Sequence, residues 1–441
     1  MLEKFLNIFR IPELRKRVLF VIIIMVLYRL GASIPTPGLN ITLLDEYFTR
    51  NAGGLLNMFD VFAGGAFKKF SIFALGVMPY ISASIILQLL TIVVPALEAL
   101  QKEGEAGRKK ITQYTRYLTV AITAFQAFGV SLWMNGFQVD GMQVVMVGKT
   151  MFTFLTIVTI TAGTVLLMWL GELITEHGIG NGVSLIIFAG IVARLPSALI
   201  EIAKKVQIGE FNAVFILVVA LIFVAIIAFN VVIEQGQRRI PVQYAQRVVG
   251  RKVLGSQNTH IPLKINPSGV MPIIFASSII MFPGQLAGIL GTKFQFFHTI
   301  AMWLGPDKPL YLIFYTLMII FFCYFYTAVL YNPVEFADNL KKYGGFIPGI
   351  RPGEHTSQYF QYVLNRLILS GSIAVAIIAI IPTILNRWMN LPASISYLMG
   401  GTSLMIVVGV GLDLMTKIES HLLMRHYDGL VKSGKMRGRW K

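Results

Sequence analysis

The chain has 441 residues, of which 55% are hydrophobic and only 13% charged, and its mean hydropathy is +0.70. Because a soluble domain carries about 25% charged residues, this composition excludes a soluble globular protein and predicts a polytopic membrane protein. The net charge of +17 is expected when Lys and Arg gather on the cytoplasmic side of a membrane, and the single cysteine, Cys323, excludes a disulfide framework.

Ten apolar stretches are long enough to cross a bilayer, which takes about 20 residues. The predicted fold class is therefore an all-α polytopic membrane protein with ten transmembrane helices. An even number of spans places both termini on one side, and the loops on that side hold most of the 38 Lys and Arg, so both termini are expected to be cytoplasmic. The predicted spans are 17–34, 73–95, 114–134, 150–171, 183–200, 212–233, 268–290, 310–331, 366–385 and 394–416.

Residues 1–16 alternate apolar and basic side chains, such as Phe5 and Phe9 against Lys4 and Arg10. This pattern predicts an amphipathic helix on the cytoplasmic face of the membrane.

A short amphipathic segment lies between two glycine pairs, Gly53–Gly54 and Gly64–Gly65, just before the second span. Glycine pairs are poor helix formers and good hinges. The segment therefore predicts a short helix that breaks off before a full span begins. At membrane depth such backbone is tolerated only inside protein or a water-filled cavity, so we expect a cavity that holds a detachable segment.

Two predicted cytoplasmic loops, 234–267 and 332–365, are long for a compact membrane protein. The first alternates apolar and polar residues at Ile240, Val242 and Tyr244, which predicts a pair of strands. Long structured loops are more often functional than not. We therefore expect both loops to bind a partner; the alternative is a solvated loop whose charges only set topology.

The chain contains an internal repeat. GVMPYISASII at 76–86 resembles GVMPIIFASSII at 269–280, and GVSLII at 182–187 resembles GTSLMI at 401–406. The first match links spans two and seven, and the second links spans five and ten. A repeat of five spans is odd in number, so the two halves should be inverted relative to each other. The predicted divisions are the helix 1–16, the halves 17–204 and 205–416, and a cytoplasmic tail 417–441.

Each repeated segment carries a pair of residues spaced four apart, which places the pair on one helix face. If the four segments surround the axis between the halves, these faces form an apolar collar; the alternative is ordinary helix packing. The pairs are Val77 and Ile81, Val183 and Ile187, Val270 and Ile274, and Thr402 and Ile406.

Acidic residues are nearly absent from the middle of every predicted span, and Glu172 and Asp413 lie near cytoplasmic ends. An ion-coupled transporter usually needs carboxylates inside the membrane. The sequence also lacks the hydrolase, zinc-protease and phosphate-loop motifs. We therefore expect neither an enzyme nor a bound cofactor, and any energy must come from a partner.

A series of stretches resembles the SecY family of channel subunits of the bacterial protein translocase, in one order along essentially the whole chain. They are ALGVMPYISASIILQLL, KEGEAGRKKITQYTRY, LMWLGELITEHGIGNGVSLIIFAGIVA, QRRIPVQYAQR, THIPLKIN, GVMPIIFASSII, NPVEFADNLKK, GFIPGIRPGE and GGTSLMIVVGV.

The resemblance implies an hourglass channel that is closed by a plug, at about 55–69, and by a ring of aliphatic side chains. It implies a lateral gate between spans two and three and spans seven and eight. The implied ring is Val77, Ile81, Val183, Ile187, Ile274 and Ile406. The implied plug core is Leu55, Leu56, Asn57, Met58, Phe59, Asp60, Val61, Phe62, Ala63, Gly64, Gly65, Ala66 and Phe67. The implied docking residues for a motor or ribosome are Arg238, Arg239, Arg247, Arg251, Lys252 and Arg351.

Two features depart from the family pattern. The ring usually contains more isoleucine than it does here, and Val270, which the repeat suggests, is not a ring position in the family.

The function implied is a protein-conducting channel in the bacterial plasma membrane that passes unfolded polypeptides and releases apolar segments sideways into lipid. The implied partners are the small subunits SecE and SecG, the SecA motor ATPase, the ribosome, signal sequences and membrane lipid. The main alternative is a secondary transporter, because five-plus-five inverted repeats with broken helices occur there too. A third class, an intramembrane enzyme, is disfavoured by the missing motifs.

Overall fold

The structure is a computed structural model of the full chain. It describes residues 11–50, 60, 63–244, 247–249, 252–254, 258–290, 308–389 and 401–432.

Helices account for most of the described residues, as the apolar stretches predict. In chain order they are α1 (Pro12–Gly31), α2 (Ile41–Arg50), α3 (Met78–Val93), α4 (Pro95–Lys102), α5 (Glu105–Met134), α6 (Lys149–His177), α7 (Gly182–Val192), α8 (Leu195–Gln207), α9 (Ala213–Gln235), α10 (Met271–Leu290), α11 (Pro309–Leu330), α12 (Pro333–Lys342), α13 (Glu354–Met389) and α14 (Gly401–Lys432).

Each predicted span overlaps at least one of these helices, and the fifth overlaps both α7 and α8; residues 394–400 of the tenth span lie outside the described part of the chain. Within the described residues, seven helices or continuous helix pairs are long and apolar enough to cross a membrane by themselves, and the pair α3–α4, bent by 99°, gives an eighth crossing. The first and seventh predicted spans correspond to α1 and α10. Helix α1 is not among these eight crossings. It carries charged residues in its first turns, at Glu13, Arg15 and Lys16, which lower its mean hydropathy.

Three helix boundaries differ from the predicted spans. Residues 73–77 form turns, and α3 begins only at Met78, because Gly76 has a φ of +57° and Pro79 occupies the first helical turn. The fifth span breaks between α7 and α8, just before Pro196. The second long loop is shorter than 332–365, because α13 already begins at Glu354.

The helices pack as two halves with matching neighbours. In the first half α3 packs on α5, α5 on α6, and α6 on α7, while α1 lies against α6 and α7. The second half repeats this pattern, with α10 on α11, α11 on α13, α13 on α14, and α9 against α13 and α14. The halves meet where α3 and α5 contact α10, and where α7 contacts α14. The helices that carry the repeated motifs therefore face each other across the two junctions.

Short strands form outside the helical body. The strands are β1 (Gln138–Val139), β2 (Met142–Gln143), β3 (Gln237–Tyr244), β4 (Arg247–Val249), β5 (Lys252–Leu254), β6 (Asn258–Lys264) and β7 (Gly345–Phe346). Strands β3 and β6 are antiparallel, with Ile240 opposite Ile261, which confirms the predicted strand pair in the first long loop. Strand β7 from the second long loop adds to the other edge of β3, so the two loops share one three-stranded sheet.

Candidate functional site: an apolar constriction below a polar vestibule

A cavity of about 460 Å³ opens between the two halves. Its lining includes four of the predicted ring residues, Ile81, Val183, Ile187 and Ile274, which come from α3, α7 and α10. Polar side chains such as Gln88, Thr112, Thr175 and Asn181 share the lining with apolar ones such as Met271 and Phe275. The cavity thus combines polar groups with aliphatic side chains, which offer water and ions no hydrogen bonds.

The two remaining ring residues lie in the same buried core but do not line this cavity. Val77 is 2% exposed and Ile406 is 0% exposed. Val270 lies beside α14, where its side chain would collide with any Cβ added at Gly409. Val270 lies in the turn just before α10, and its side chain packs against α14 at Gly409.

Polar contacts fix the start of α7, and so the positions of Val183 and Ile187. The Asn181 side chain caps the helix by accepting bonds from the N–H groups of Val183, at 3.1 Å, and Ser184, at 3.2 Å. The Gly182 N–H donates to the Thr175 hydroxyl at 2.9 Å. A Cβ at Gly182 would lie only 1.9 Å from the Gly171 carbonyl oxygen, so glycine is required for this close approach to α6.

The predicted lateral gate is a packed seam in this structure. The hydroxyls of Ser277 and Ser278 both donate to the Ile274 carbonyl, at 2.9 and 2.7 Å. Ser278 also lies 3.9 Å from the sulfur of Met78, which joins α10 to α3. Small hydroxyl residues let two helices approach closely and hold each other weakly, which suits a seam that has to part.

An ion pair at the rim of the cavity joins α5 to α6. The Arg116 guanidinium donates to both carboxylate oxygens of Glu172, at 2.9 and 2.8 Å. The geometry is bidentate, the strongest form of this contact. The sequence places Glu172 near the cytoplasmic end of its span but offers no signal for its partner, which lies 56 residues earlier.

Part of the predicted plug is described. Asp60 and Ala63 to Phe67 are buried or half-buried, with Ala66 at 0% and Phe67 at 2% exposure. Gly64 and Gly65 have φ values of +63° and +89°, which favour glycine and interrupt a helix at the pair where the sequence predicts the short helix to break off. The remaining plug residues lie outside the described part of the chain: Leu55, Leu56, Asn57, Met58, Phe59, Val61 and Phe62.

The turn at Ala63–Gly64 is held by side chains that sequence reasoning missed. The Tyr28 hydroxyl donates to the Ala63 carbonyl at 3.2 Å, and Arg29 donates to the Gly64 carbonyl at 2.8 Å. Asp60 is paired with Arg194, the residue at the break between α7 and α8. A lone arginine directly after an apolar stretch is the only trace of this contact in the sequence.

Two of the predicted docking residues, Arg238 and Arg239, lie on the shared sheet. Arg238 and Arg239 are exposed on β3, and Arg351 is exposed in the turn before α13, where its carbonyl accepts a 2.9 Å bond from the Thr356 hydroxyl. Arg247 and Lys252 belong to the β4–β5 hairpin, although their side chains are outside the described residues, as is all of Arg251.

Comparison with known proteins identifies close relatives along the whole chain. The sequence pattern of the SecY family matches residues 71–415. The protein translocase subunit SecY of Vibrio cholerae is 47% identical over 433 residues, covering 97% of this chain and 96% of the relative. The SecY subunit of Escherichia coli K12 is 46% identical over 429 residues, again covering 97% and 96%.

Solved structures share the fold. A protein-conducting channel, and a SecY protein whose plug domain stabilises the closed state of the translocation channel, each give a TM-score of 0.64 at 18% identity, covering 92% of this chain and 91% of the other. The channel of the canine ribosome–channel complex from the endoplasmic reticulum gives 0.61 at 17% identity, with the same coverage. The predicted all-α polytopic fold class is confirmed.

Proposed function

The chain belongs to the SecY family of protein translocase subunits, and from this membership we propose how its constriction conducts a polypeptide and releases apolar segments. As a family member it is a protein-conducting channel subunit of a multi-pass membrane translocase and not an enzyme. Family membership therefore decides against the secondary transporter and the intramembrane enzyme.

The observation that carries the proposal is the meeting of Ile81, Val183, Ile187 and Ile274 in the lining of one cavity. Together with Val77 and Ile406, these side chains are the ring through which a chain passes. A narrow aliphatic ring sheds water and so resists ion leak. It also binds no particular side chain strongly, so polypeptides of varied sequence slide past it.

The seam of α3 and α5 against α10 and α11 is the lateral gate. A polypeptide segment in the pore can reach lipid through this seam, so it partitions between the aqueous pore and the lipid. Leu or Phe gains about 0.3–0.6 kcal/mol on entering the membrane centre, whereas a charged residue costs about 2.5–3.5 kcal/mol. Sorting between secretion and membrane insertion then needs no catalysis.

The segment at 55–69 is the plug, and the shared sheet with its basic residues is the docking surface for SecA or a ribosome. The family context supports SecE and SecG as companion subunits and the bacterial plasma membrane as the location, with both termini cytoplasmic. The exposure of Arg238, Arg239 and Arg351 supports docking there, because exposed charge raises the encounter rate with a complementary partner.

A stalled, signal-bearing polypeptide in the reconstituted translocase tests this function. A photo-crosslinker placed at Ile81, Ile187 or Ile274 should capture the chain. The matched control is Ile86 on the same helix as Ile81, which is 40% exposed on the outer face. Equal capture at Ile81 and Ile86, or capture at neither while the chain is exported, would contradict the proposed pore.

A further inference from the structure

The side chain of Asp60 is completely buried, and its carboxylate has two partners. One oxygen accepts from the Arg194 guanidinium, and the other accepts from the backbone N–H of Lys68 at 2.9 Å. Arg194 itself is 26% exposed. An ionised carboxylate in such a place needs a positive partner, because an unpaired buried charge is very unfavourable.

Arg194 lies two residues beyond the end of α7, where its backbone is still helical, and continues the face on which Val183 and Ile187 lie. Val183, Ile187, Gly190 and Arg194 are spaced by four, three and four residues, which is one stripe of a helix. Ile187 and Arg194 are therefore about 10 Å apart along the axis. At Gly190 the stripe meets the plug turn: a Cβ there would lie 3.1 Å from the Gly64 Cα. A movement of α7 that widens the ring consequently also moves Arg194 and Gly190, the residue against which the turn at Gly64 packs.

The pair behaves differently in a dry and in a wet channel. While the surroundings are apolar, separating Asp60 from Arg194 leaves two poorly solvated charges. Once water fills the pore, both charges become hydrated and the attraction between them is weakened by the high dielectric constant. The ion pair therefore resists the first step of opening and gives little resistance afterwards, as a latch does.

We propose that the Asp60–Arg194 pair latches the plug segment to α7 and sets how apolar a signal segment must be to open the channel. The proposal rests on the proposed channel function and assigns a specificity role to two residues. A signal segment gains free energy by leaving the pore for lipid, and that gain has to exceed the free energy that keeps the latch closed. A weaker latch admits weaker signals.

The test uses the complete translocase in proteoliposomes, with export substrates whose signal segments contain a graded number of leucines. The variants are Asp60→Asn, Arg194→Gln, the double variant and the charge-swapped Asp60→Arg/Arg194→Asp. We expect each single variant to raise both resting ion conductance and export of the weakest signals on the order of tenfold, which corresponds to a pair interaction of about 1.4 kcal/mol. The double variant should match the single variants, and the charge swap should restore much of the original threshold.

The control variant is Glu210→Gln, which breaks the exposed ion pair between Lys205 and Glu210, at 2.7 Å, beyond the end of α8. It should leave conductance and threshold unchanged. Export of the strongest signal should be near the wild-type level in every variant, which reports intact folding. Unchanged thresholds in both single variants, or additive effects in the double variant, would overturn the latch, as would loss of strong-signal export in all variants. Failure of the wild-type chain to export the strongest signal would instead refute the channel function.

Discussion

Single glycines decide where the plug turn can lie. Gly64 and Gly65 both have positive φ, a region that costs other residues roughly 1–2 kcal/mol. Their surroundings differ, however. A Cβ at Gly64 would lie 2.6 Å from the Gly190 Cα, whereas a Cβ at Gly65 would have no heavy atom within 4 Å.

This difference gives a matched pair of substitutions. We expect Gly64→Ala to push the turn away from α7 and to raise resting ion conductance in planar bilayers. Gly65→Ala should carry only the backbone cost and leave conductance close to that of the wild type. Equal conductance of the two variants would show that contact with Gly190 does not position the turn.

The ring residues are the second prediction at this scale. Replacing Ile81, Ile187, Ile274 and Ile406 together by Ser supplies four hydroxyls that bind water and removes branched apolar bulk. We expect the constriction to become hydrated and resting conductance to rise even with the plug present. Single substitutions should do less, because the remaining aliphatic side chains still fill the gap.

Conductance recordings of the single and quadruple variants measure this effect. Ile187→Lys should open a hydrated path on its own, because an unpaired buried ammonium is costly without water. The control is Ile86→Ser on the outer face of α3. A quadruple variant with wild-type conductance would show that the four residues only pack the helices together and do not seal the pore.

At the scale of elements, the two long loops act as one surface. Strand β3 lies in the centre of a sheet with β6 from the same loop on one side and β7 from the other loop on the opposite side. Pairing across β3 thus ties the second loop, in which Arg351 follows β7 by five residues, to the strand that carries Arg238 and Arg239. A partner can then recognise basic residues from both loops at once.

We expect Arg351→Glu to slow motor-driven export, because the substitution reverses the charge that a docking partner meets. Export rates measured against motor concentration should show the largest defect when the motor is limiting and little defect at saturation. Lys149→Glu, at the start of α6, is the charge-matched control and should have no effect. Undiminished export of the Arg351 variant at limiting motor would exclude a major docking role.

At the scale of the whole molecule, the main helix contacts between the halves, among the described residues, form two junctions. One is the seam of α3 and α5 with α10, and the other is the contact of α7 with α14. Sideways release needs only one junction to part. The seam is the better candidate, because it contains the small hydroxyl residues and the weak Ser278–Met78 contact.

A covalent link across the seam tests this assignment. In a Cys323→Ser background, Met78→Cys/Ser278→Cys should be joined by a short, reducible thiol cross-linker. We expect linkage to block both membrane insertion of apolar segments and signal-dependent export, because the halves cannot separate. Reduction should restore both activities, and neither single-cysteine variant should respond. Full insertion through the linked seam would place the exit elsewhere.

The sequence by itself determines the polytopic helical class, the approximate spans and the five-span repeat with its paired residues four apart, whereas the six ring positions are what the family resemblance implies. These features follow from local composition and periodicity, which a linear chain displays directly. The strand pair at Ile240 and the glycine turn at Gly64 are visible for the same reason. The family motifs add the expected positions of plug and gate.

Only the tertiary structure decides which residues meet across long separations. Two ion pairs illustrate this: Asp60 and Arg194 are 134 residues apart, and Arg116 and Glu172 are 56 residues apart. The sequence around one partner does not indicate which residue the other partner is. The same holds for the union of the two loops in one sheet and for the packing of Val270 against α14. Helical periodicity shows which residues share a face, but the neighbour that covers that face is set by how the two halves pack.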